Sequence, residues 1–209
     1  EQAIQLAKSV GYDSAGTVEF VVGPGKEFYF LEMNTRLQVE HPVTEMTCGI
    51  DLVEQMIRIA NGEVLGIEQS DVCIKGWSCE ARLYAEDPEK GFLPATGVLE
   101  SYQEPKGVTG CRVDSGVNEG DEISIFYDPM IAKVVGYGQN RKEAINNLSE
   151  SLDSFVLRGI RNNLVFLNAI LNCCEFRTGN FNTGLISQLY PDGFQCKELN
   201  EVEKVEFFC

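Results

Sequence analysis

Basic residues and histidine are scarce in this sequence. Its 209 residues contain 17 Lys or Arg against 32 Asp or Glu, so the formal net charge at pH 7 is −15. Nucleic-acid binding needs a basic face that neutralises phosphates, and this balance argues against a nucleic-acid partner. His41 is the single histidine, which argues against a metal site built on imidazole ligands.

Long apolar runs, cysteine-pair motifs and phosphate-binding loops are also missing. No apolar run approaches the roughly 18 residues of a membrane-spanning helix, so we expect no membrane span. The 8 cysteines include no Cys-x-x-Cys pair, and we interpret them as reduced thiols of an intracellular protein rather than a disulfide framework. There is no signal peptide, no initiator Met and no Gly-x-x-x-x-Gly-Lys loop, and a helical pattern starts at once, so we expect part of a longer protein.

The stretch 28–45, FYFLEMNTRLQVEHPVTE, combines an apolar run with a regular polar pattern. The apolar run at its start predicts a buried strand. Polar side chains then occupy every second position: Glu32, Asn34, Arg36, Gln38 and Glu40. If the extended conformation continues, all of them point to one face, because the side chains of a strand alternate.

The residue types on this face suit the binding of ions. Glu32 and Asn34 offer hard oxygen ligands, which magnesium prefers. A Gly-Pro-Gly turn can bring Glu19, on the preceding strand, opposite Glu32. The guanidinium of Arg36 suits a small oxyanion, and Glu40 is a candidate general base. Spacing alone leaves a surface ladder of Glu and Arg salt bridges equally open.

The rest of the chain predicts an α+β fold. Asp51 and Asn140 are predicted to cap helices, the second of which ends at Gly159, and another helix is predicted to start at Asn163. Apolar stretches between turn residues predict the strands of an antiparallel meander, at residues 98–102, 111–114, 122–127 and 131–137. Helices that follow a meander are expected to cover one face of its sheet.

The segment EMNTRLQVEHPVTE, with GTVEF before it and EARLYAEDP after it, resembles biotin carboxylase, a member of the ATP-grasp superfamily. The resemblance runs from about residue 3 to residue 194. Within the family, the later segments are most similar to the α subunits of propionyl-CoA carboxylases, and less to methylcrotonyl-CoA and acetyl-CoA carboxylases. These segments are YQEP, RVDSG, ISIFYDPMIAK and LYPDGF.

This resemblance implies a division of the chain into three parts. Residues 1–66 would be the C-terminal part of an ATP-grasp domain, and residues 67–190 the biotin carboxylase C-terminal domain, an antiparallel sheet with helices. Residues 191–209 would be a tail toward a missing downstream domain. The family's glycine-rich flap over ATP would lie in a missing N-terminal part of the same polypeptide, so the fragment alone is expected to be inactive.

The resemblance also implies an activity. Biotin carboxylases use MgATP to phosphorylate bicarbonate, and the CO2 that carboxyphosphate releases is captured by biotin. The implied cofactors are ATP, Mg2+ or Mn2+, and biotin on a carrier domain outside this chain. The implied partners are that biotinyl carrier domain and a carboxyltransferase subunit, in the mitochondrial matrix of a eukaryote or the cytoplasm of a bacterium.

Family site residues are matched one by one in this sequence. The magnesium-binding positions are matched by Glu19, Glu32 and Asn34, and the bicarbonate site by Arg36, Gln38 and the backbone of Val39. Glu40 matches the base that deprotonates bicarbonate.

Arg82, in the segment EARLYAEDP, admits two interpretations. It matches an arginine that lies beside bicarbonate and biotin in the family, where it would steady the carboxyphosphate and anionic biotin. Spacing alone favours a simple cross-strand ion pair with Glu80 nearby. The resemblance favours the first interpretation, and we expect Arg82 to be both catalytic and biotin-binding.

Three other functions stay open at this point. The chain could come from the biotin carboxylase part of another acyl-CoA carboxylase, and the final acyl-CoA is selected by a partner. It could act as a non-catalytic assembly module when isolated. It could belong to a carbamoyl-phosphate-forming ATP-grasp ligase, although QVEHPVTE and EARLYAEDP argue against that.

Overall fold

The computed structural model describes residues 1–196, which form two compact units divided between Ser78 and Cys79. The sequence predicted a domain boundary earlier in the chain, after residue 66, and that boundary stays a prediction. Of the predicted tail, residues 191–196 are described, and residues 197–209 lie outside the described part. Phe194 is buried and packs edge-on against the ring of Phe166, so the start of this segment belongs to the second unit.

The first unit contains a two-stranded hairpin, three α-helices and one short 3-10 helix (Gln69–Asp71). Its elements are α1 (Gln2–Ser9), β1 (Thr17–Val22), β2 (Phe28–Asn34), α2 (His41–Cys48) and α3 (Leu52–Ala60). The two strands pair antiparallel, and their register shifts between Glu19 and Phe20. Phe20 contacts the rings of Phe28 and Phe30 edge-on, which fixes the pairing on one face of the hairpin.

Helix α3 begins after its predicted cap, Asp51. The Asp51 side chain accepts a hydrogen bond of 2.8 Å from the backbone N–H of Glu54, which satisfies one free donor of the first turn. The buried carboxylate of Glu45, on α2, accepts a second bond of 2.7 Å from the N–H of Leu52. Gly62, with φ +84°, follows the helix and allows the chain to leave it in the left-handed conformation.

The second unit contains a three-stranded sheet, several two-stranded pairs, four α-helices and one short 3-10 helix (Pro88–Lys90) within the described residues. Its strands are β3 (Trp77–Tyr84), β4 (Glu86–Asp87), β5 (Leu93–Pro94), β6 (Gly97–Val98), β7 (Ser101–Gln103), β8 (Cys111–Ser115), β9 (Glu122–Ile123), β10 (Met130–Gly138) and β11 (Val156–Arg158). Its helices are α4 (Arg141–Asp153), α5 (Leu164–Asn172), α6 (Cys174–Thr178) and α7 (Leu185–Leu189). The mixed content confirms the predicted α+β class.

The order of these strands differs from the predicted meander, which is wrong. The main sheet has the order β3-β10-β8, and the remaining pairs are β11-β7, β4-β5 and β6-β9. Strand β10 is apolar and buried along most of its length, with Ile131, Val134 and Val135 almost inaccessible. A strand buried on both faces is suited to the centre of a sheet, so β10 pairs with strands on both sides instead of closing a meander.

The core of the second unit lies between this sheet and α4. Leu83 from β3, Val134 from β10 and Leu148 and Leu152 from α4 are completely buried there. Burial of each such side chain contributes about 1.5–3 kcal/mol. The predicted cap of α4 is confirmed, since the Asn140 side chain accepts a bond of 3.0 Å from the N–H of Glu143.

Helix α4 ends at Asp153, so the predicted end at Gly159 is wrong. The intervening residues form β11, which pairs with β7. Gly159 has φ +95°, and a Cβ there would lie 2.4 Å from the carbonyl oxygen of Val98. This glycine therefore permits a close backbone approach after β11 rather than ending a helix.

Two further observations concern cysteines and helix length. The cysteines within residues 1–196 are free thiols, including the neighbours Cys173 and Cys174. Among the helices of that same range, none is long and apolar enough to cross a membrane.

Candidate functional site

Two carboxylates of the first unit lie on paired strands. Glu19 on β1 and Glu32 on β2 are register partners, as the sequence predicted. The amide nitrogen of Asn34 donates to both, with distances of 2.9 Å to Glu19 Oε1 and 2.9 Å to Glu32 Oε1. One amide therefore joins two carboxylates that would otherwise repel each other across the hairpin.

The polar face does not continue along an extended strand, and that part of the prediction is wrong. Strand β2 ends at Asn34, because its partner there, Thr17, is the first residue of β1. Residues 35–40 form a loop instead. The Arg36 guanidinium holds this loop, with Nη1 donating to the Leu37 carbonyl oxygen at 3.0 Å and to Gln38 Oε1 at 3.3 Å.

The loop nevertheless returns its polar side chains to the carboxylates. Gln38 Nε2 donates to Glu19 Oε1 at 3.4 Å, and Arg36 Nη2 donates to Asn34 Oδ1 at 3.4 Å. A single hydrogen-bonded cluster thus contains Glu19, Glu32, Asn34, Arg36 and Gln38, and we call it the hairpin cluster. The structure brings these predicted site residues together by side-chain bonding rather than by strand alternation.

Val39 and Glu40 complete the loop that follows the hairpin cluster. Glu40 is exposed and occupies the N-cap position of α2, directly before His41. His41 and Pro42 lie in the first turn of this helix. Pro42 is buried there, and proline suits the first turn because its missing N–H would have no helical acceptor.

The hairpin cluster has a donor set that fits magnesium. Its facing oxygens belong to two carboxylates, which are hard ligands. The Asn34 amide directs its nitrogen at these carboxylates and its Oδ1 at Arg36, so rotation of the amide would be needed to add its oxygen to the set. In the described part of the chain, no group of three or more His, Cys, Asp or Glu side chains could hold a metal ion. Magnesium commonly uses one or two carboxylates and takes its other oxygens from phosphates and water, so a pair of carboxylates is compatible with such a site.

Arg82 lies on β3 in the second unit, next to a buried acid. Its Nε is 3.7 Å from Glu80 Oε1, and the Glu80 side chain is 5% exposed against 39% for Arg82. An ion pair between Arg82 and Glu80 is therefore present, within one strand rather than across two strands. Both residues line a cavity of about 330 Å³, whose other walls are mostly apolar side chains of α5 and its neighbours.

Two groups in this cavity have raised pKa values. Burial raises the pKa of the Cys79 thiol to about 11, which outweighs the opposing effect of Arg141. Cys79 is therefore a protonated thiol at neutral pH and a poor nucleophile. Burial also raises the pKa of the Glu86 carboxyl, while a hydrogen bond from Asn163 acts in the opposite direction.

Asn163 was predicted only as the start of a helix, and its contacts to the cavity were missed. It occupies the N-cap position of α5, but its side chain bonds to Tyr84 and the backbone of Arg82 instead of its own helix. These partners lie about eighty positions away in sequence. An Asn before an apolar helix is typical of any N-cap, so no local pattern could have revealed them.

Known proteins match nearly the whole length of this chain. The family model "Biotin carboxylase C-terminal domain" matches residues 80–188, and the model "Carbamoyl-phosphate synthase L chain, ATP binding domain" matches residues 1–68. The mitochondrial propionyl-CoA carboxylase alpha chain of Caenorhabditis elegans is 55% identical over 205 residues, with 98% of this chain and 28% of that protein covered. The mitochondrial methylcrotonoyl-CoA carboxylase subunit alpha of Glycine max is 52% identical over 193 residues, with 92% of this chain and 26% of that protein covered.

A solved structure shares the fold. The biotin carboxylase domain of Hydrogenobacter thermophilus 2-oxoglutarate carboxylase, in complex with MgADP, ADP and bicarbonate, aligns with a TM-score of 0.87 and 40% identity. The alignment covers 94% of this chain and 43% of that one. The present chain therefore spans less than half of such a domain and about a quarter of the curated relatives. It belongs to the biotin carboxylase family.

Proposed function

We propose that this chain is part of a biotin carboxylase that uses MgATP and bicarbonate to carboxylate biotin on a carrier domain. The hairpin cluster is the observation that carries this proposal, because it combines paired carboxylates, an amide and a guanidinium. Such a set can hold a cation and a small anion side by side. Family membership supports the same reaction.

Glu19, Glu32 and Asn34 are the proposed ligands of Mg2+ or Mn2+. Glu19 and Glu32 contribute carboxylate oxygens from facing strands, and a cation between them relieves their repulsion. Asn34 would coordinate the cation through Oδ1 after rotation of its amide, whose nitrogen faces the carboxylates in this structure. A bound metal would neutralise negative charge on the ATP phosphates during phosphoryl transfer. Asn34 has its amide nitrogen at both carboxylates and its Oδ1 toward Arg36, so it links the metal ligands to the anion site.

Arg36, Gln38 and the backbone of Val39 are the proposed bicarbonate site. Arg36 is exposed, and its bonds to Leu37 and Gln38 orient the planar guanidinium. A guanidinium has five N–H donors, so these bonds leave capacity for a bidentate contact with a carboxylate-like anion.

Glu40 is the proposed base that deprotonates bicarbonate. Glu40 is exposed at the end of the loop of residues 35–40, where α2 fixes the backbone of this residue. A carboxylate at this position can accept a proton from an anion that Arg36 binds.

Arg82 is the proposed stabiliser of anionic biotin. Carboxylation of biotin proceeds through a developing negative charge on its ureido oxygen, and a fixed guanidinium lowers the energy of that charge. The nearly buried Glu80 carboxylate holds the side chain of Arg82 on the cavity side of β3.

The complete enzyme is proposed to be a propionyl-CoA carboxylase. This chain covers 28% of the Caenorhabditis elegans alpha chain, so the remaining ATP-site residues would come from the N-terminal part of the same polypeptide. The further partners are a biotinyl carrier domain and a carboxyltransferase subunit. The compartment would be the mitochondrial matrix in a eukaryote or the cytoplasm in a bacterium.

The test is the magnesium dependence of bicarbonate-stimulated ADP release by the complete protein that contains this chain. Glu32→Gln removes one proposed ligand charge, so it should raise the magnesium concentration needed for half-maximal rate more than it changes the bicarbonate requirement. Glu54→Gln is the matched control, since Glu54 forms an exposed pair with Arg58 on α3. An unchanged magnesium dependence in Glu32→Gln, or an equal change in the control, would refute the assignment.

A further inference from the structure

We propose that Asn163 is a positioning residue for Arg82, so that it controls biotin carboxylation without touching the substrates. This inference rests on the role proposed above for Arg82. It depends on contacts inside the second unit, where Asn163 is 4% exposed.

All of the hydrogen bonds found for the Asn163 side chain go to the segment that carries Arg82. Its Oδ1 accepts from the backbone N–H of Tyr84 at 2.9 Å. Its Nδ2 donates to the carbonyl oxygen of Arg82 at 3.1 Å and to Glu86 Oε1 at 3.1 Å. The backbone N–H of Asn163 adds a bond of 3.2 Å to the carbonyl oxygen of Tyr84.

These bonds let Asn163 take the place of a neighbouring strand. Its amide presents an acceptor and a donor to the end of β3, as the backbone of a paired strand would. A backbone N–H or C=O that is buried without a partner is costly, so the end of β3 is strongly held to this one side chain. The peptide at Arg82 is thus fixed directly, whereas Glu80 contacts the side chain of Arg82.

The side chain of Arg82 is fixed from a second direction. Ala81 and Leu83 point into the core on the opposite face of β3, so rotation of the strand is blocked. Glu80, two positions earlier on the same face as Arg82, pairs with the guanidinium. Arg82 is therefore held through its backbone by Asn163 and through its charge by Glu80, which is the arrangement expected for a preorganised cation.

Asn163→Asp tests the claim in the complete protein. The variant keeps the acceptor for Tyr84 but replaces the donor amide with an oxygen that faces the Arg82 carbonyl and the Glu86 carboxylate. We expect the carboxylation of free biotin to fall by about 10- to 100-fold, as small displacements of a catalytic group do. Bicarbonate-dependent ATP hydrolysis without biotin should change by less than about 3-fold, since the hairpin cluster is untouched.

Two further variants separate positioning from folding. Glu86→Gln, added to Asn163→Asp, restores an amide–carboxylate bond with donor and acceptor exchanged, and it should recover part of the lost carboxylation. Asn168→Ala is the control, because Asn168 lies on the same helix and bonds to Ser149 and Asp153 on α4. Asn168→Ala should lower thermal stability without changing the ratio of biotin carboxylation to bicarbonate-dependent ATP hydrolysis.

The outcomes distinguish this inference from the proposed function. Equal loss of both reactions in folded Asn163→Asp, or no loss of either, would overturn the positioning role. Arg82→Ala is measured in parallel: if it leaves the ratio unchanged, the role of Arg82 is wrong and the inference fails with it. A ratio that changes in Arg82→Ala but not in Asn163→Asp refutes the inference alone. If Asn163→Asp does not fold, Asn163→Ala removes the amide donors and acceptor without adding charge, and it is judged by the same ratio of biotin carboxylation to ATP hydrolysis.

Discussion

Replacement of Asn34 by aspartate should make the β1–β2 hairpin depend on magnesium for its local stability. In the native cluster, the Asn34 amide donates 2.9 Å bonds to both Glu19 and Glu32. Asn34→Asp removes these bonds and places a third carboxylate against the other two. The substitution replaces the amide NH2 group of Asn34 with a carboxylate oxygen and conserves the shape of the side chain.

The expected magnitude follows from the contacts that are lost and the charges that are added. Each lost hydrogen bond contributes about 1 kcal/mol. Each new pair of like charges costs about 1 kcal/mol at 4 Å in a water-like dielectric, which suits a cluster that is partly exposed. Without magnesium, opening of the hairpin should therefore become easier by about 2–4 kcal/mol. A third carboxylate should also tighten metal binding, and a tenfold lower Kd adds about 1.4 kcal/mol of stabilisation at saturating magnesium.

Amide hydrogen exchange of β1 and β2 in the complete protein measures this local stability. Without magnesium, these amides should exchange about 30-fold faster or more in Asn34→Asp, and magnesium should restore more protection in the variant than in the wild type. Asn61→Asp is the matched control, because Asn61 donates to the single carboxylate of Glu63 on the same unit. Equal magnesium responses in wild type, Asn34→Asp and Asn61→Asp would refute a metal site at the hairpin cluster.

Three further predictions concern catalysis, acid stability and backbone strain. Glu40→Gln should reduce bicarbonate-dependent turnover by about 10²–10⁴-fold and leave ATP binding nearly intact, and near-normal turnover would remove Glu40 from the mechanism. Burial opposes ionisation of Asp114, but hydrogen bonds from Arg112 and Lys133 outweigh it and lower its pKa. Its stabilising contribution is thus present above the unfolded pKa of 3.8 and disappears as pH falls through the lower folded pKa, so acid melts of Asp114→Asn should lack this component. Gly159→Ala should lower the free energy of unfolding by about 2 kcal/mol or more, and denaturant titration showing no change would contradict the close approach described at that turn.

Features set by short-range chemistry were predictable from the sequence. The opposition of Glu19 and Glu32 follows from a tight turn between two apolar runs, and the structure has that register. The caps Asp51 and Asn140 follow from the preference of short polar side chains for the first turn of a helix. In each case the partner is close along the chain, so local pattern and tertiary structure agree.

Features that depend on distant partners were not predictable. The alternation from Glu32 to Glu40 is typical of a strand, but β1 offers no residue to pair with after Asn34, and the loop bonds of Arg36 replaced strand bonds. The central place of β10 depends on its burial against α4 and β3, which no single segment encodes. The contacts of Asn163 could not be predicted for the same reason, because its side chain bonds to the distant strand β3 and not to its own helix.

The role of the complete protein is tested most directly by transfer of label from radioactive bicarbonate to free biotin. Biotin should become labelled only when ATP and Mg2+ are both present, and Glu32→Gln should lose this labelling at magnesium concentrations that saturate the wild type. Absence of label with the wild-type protein, or label that appears without ATP, would contradict a biotin carboxylase reaction at the hairpin cluster.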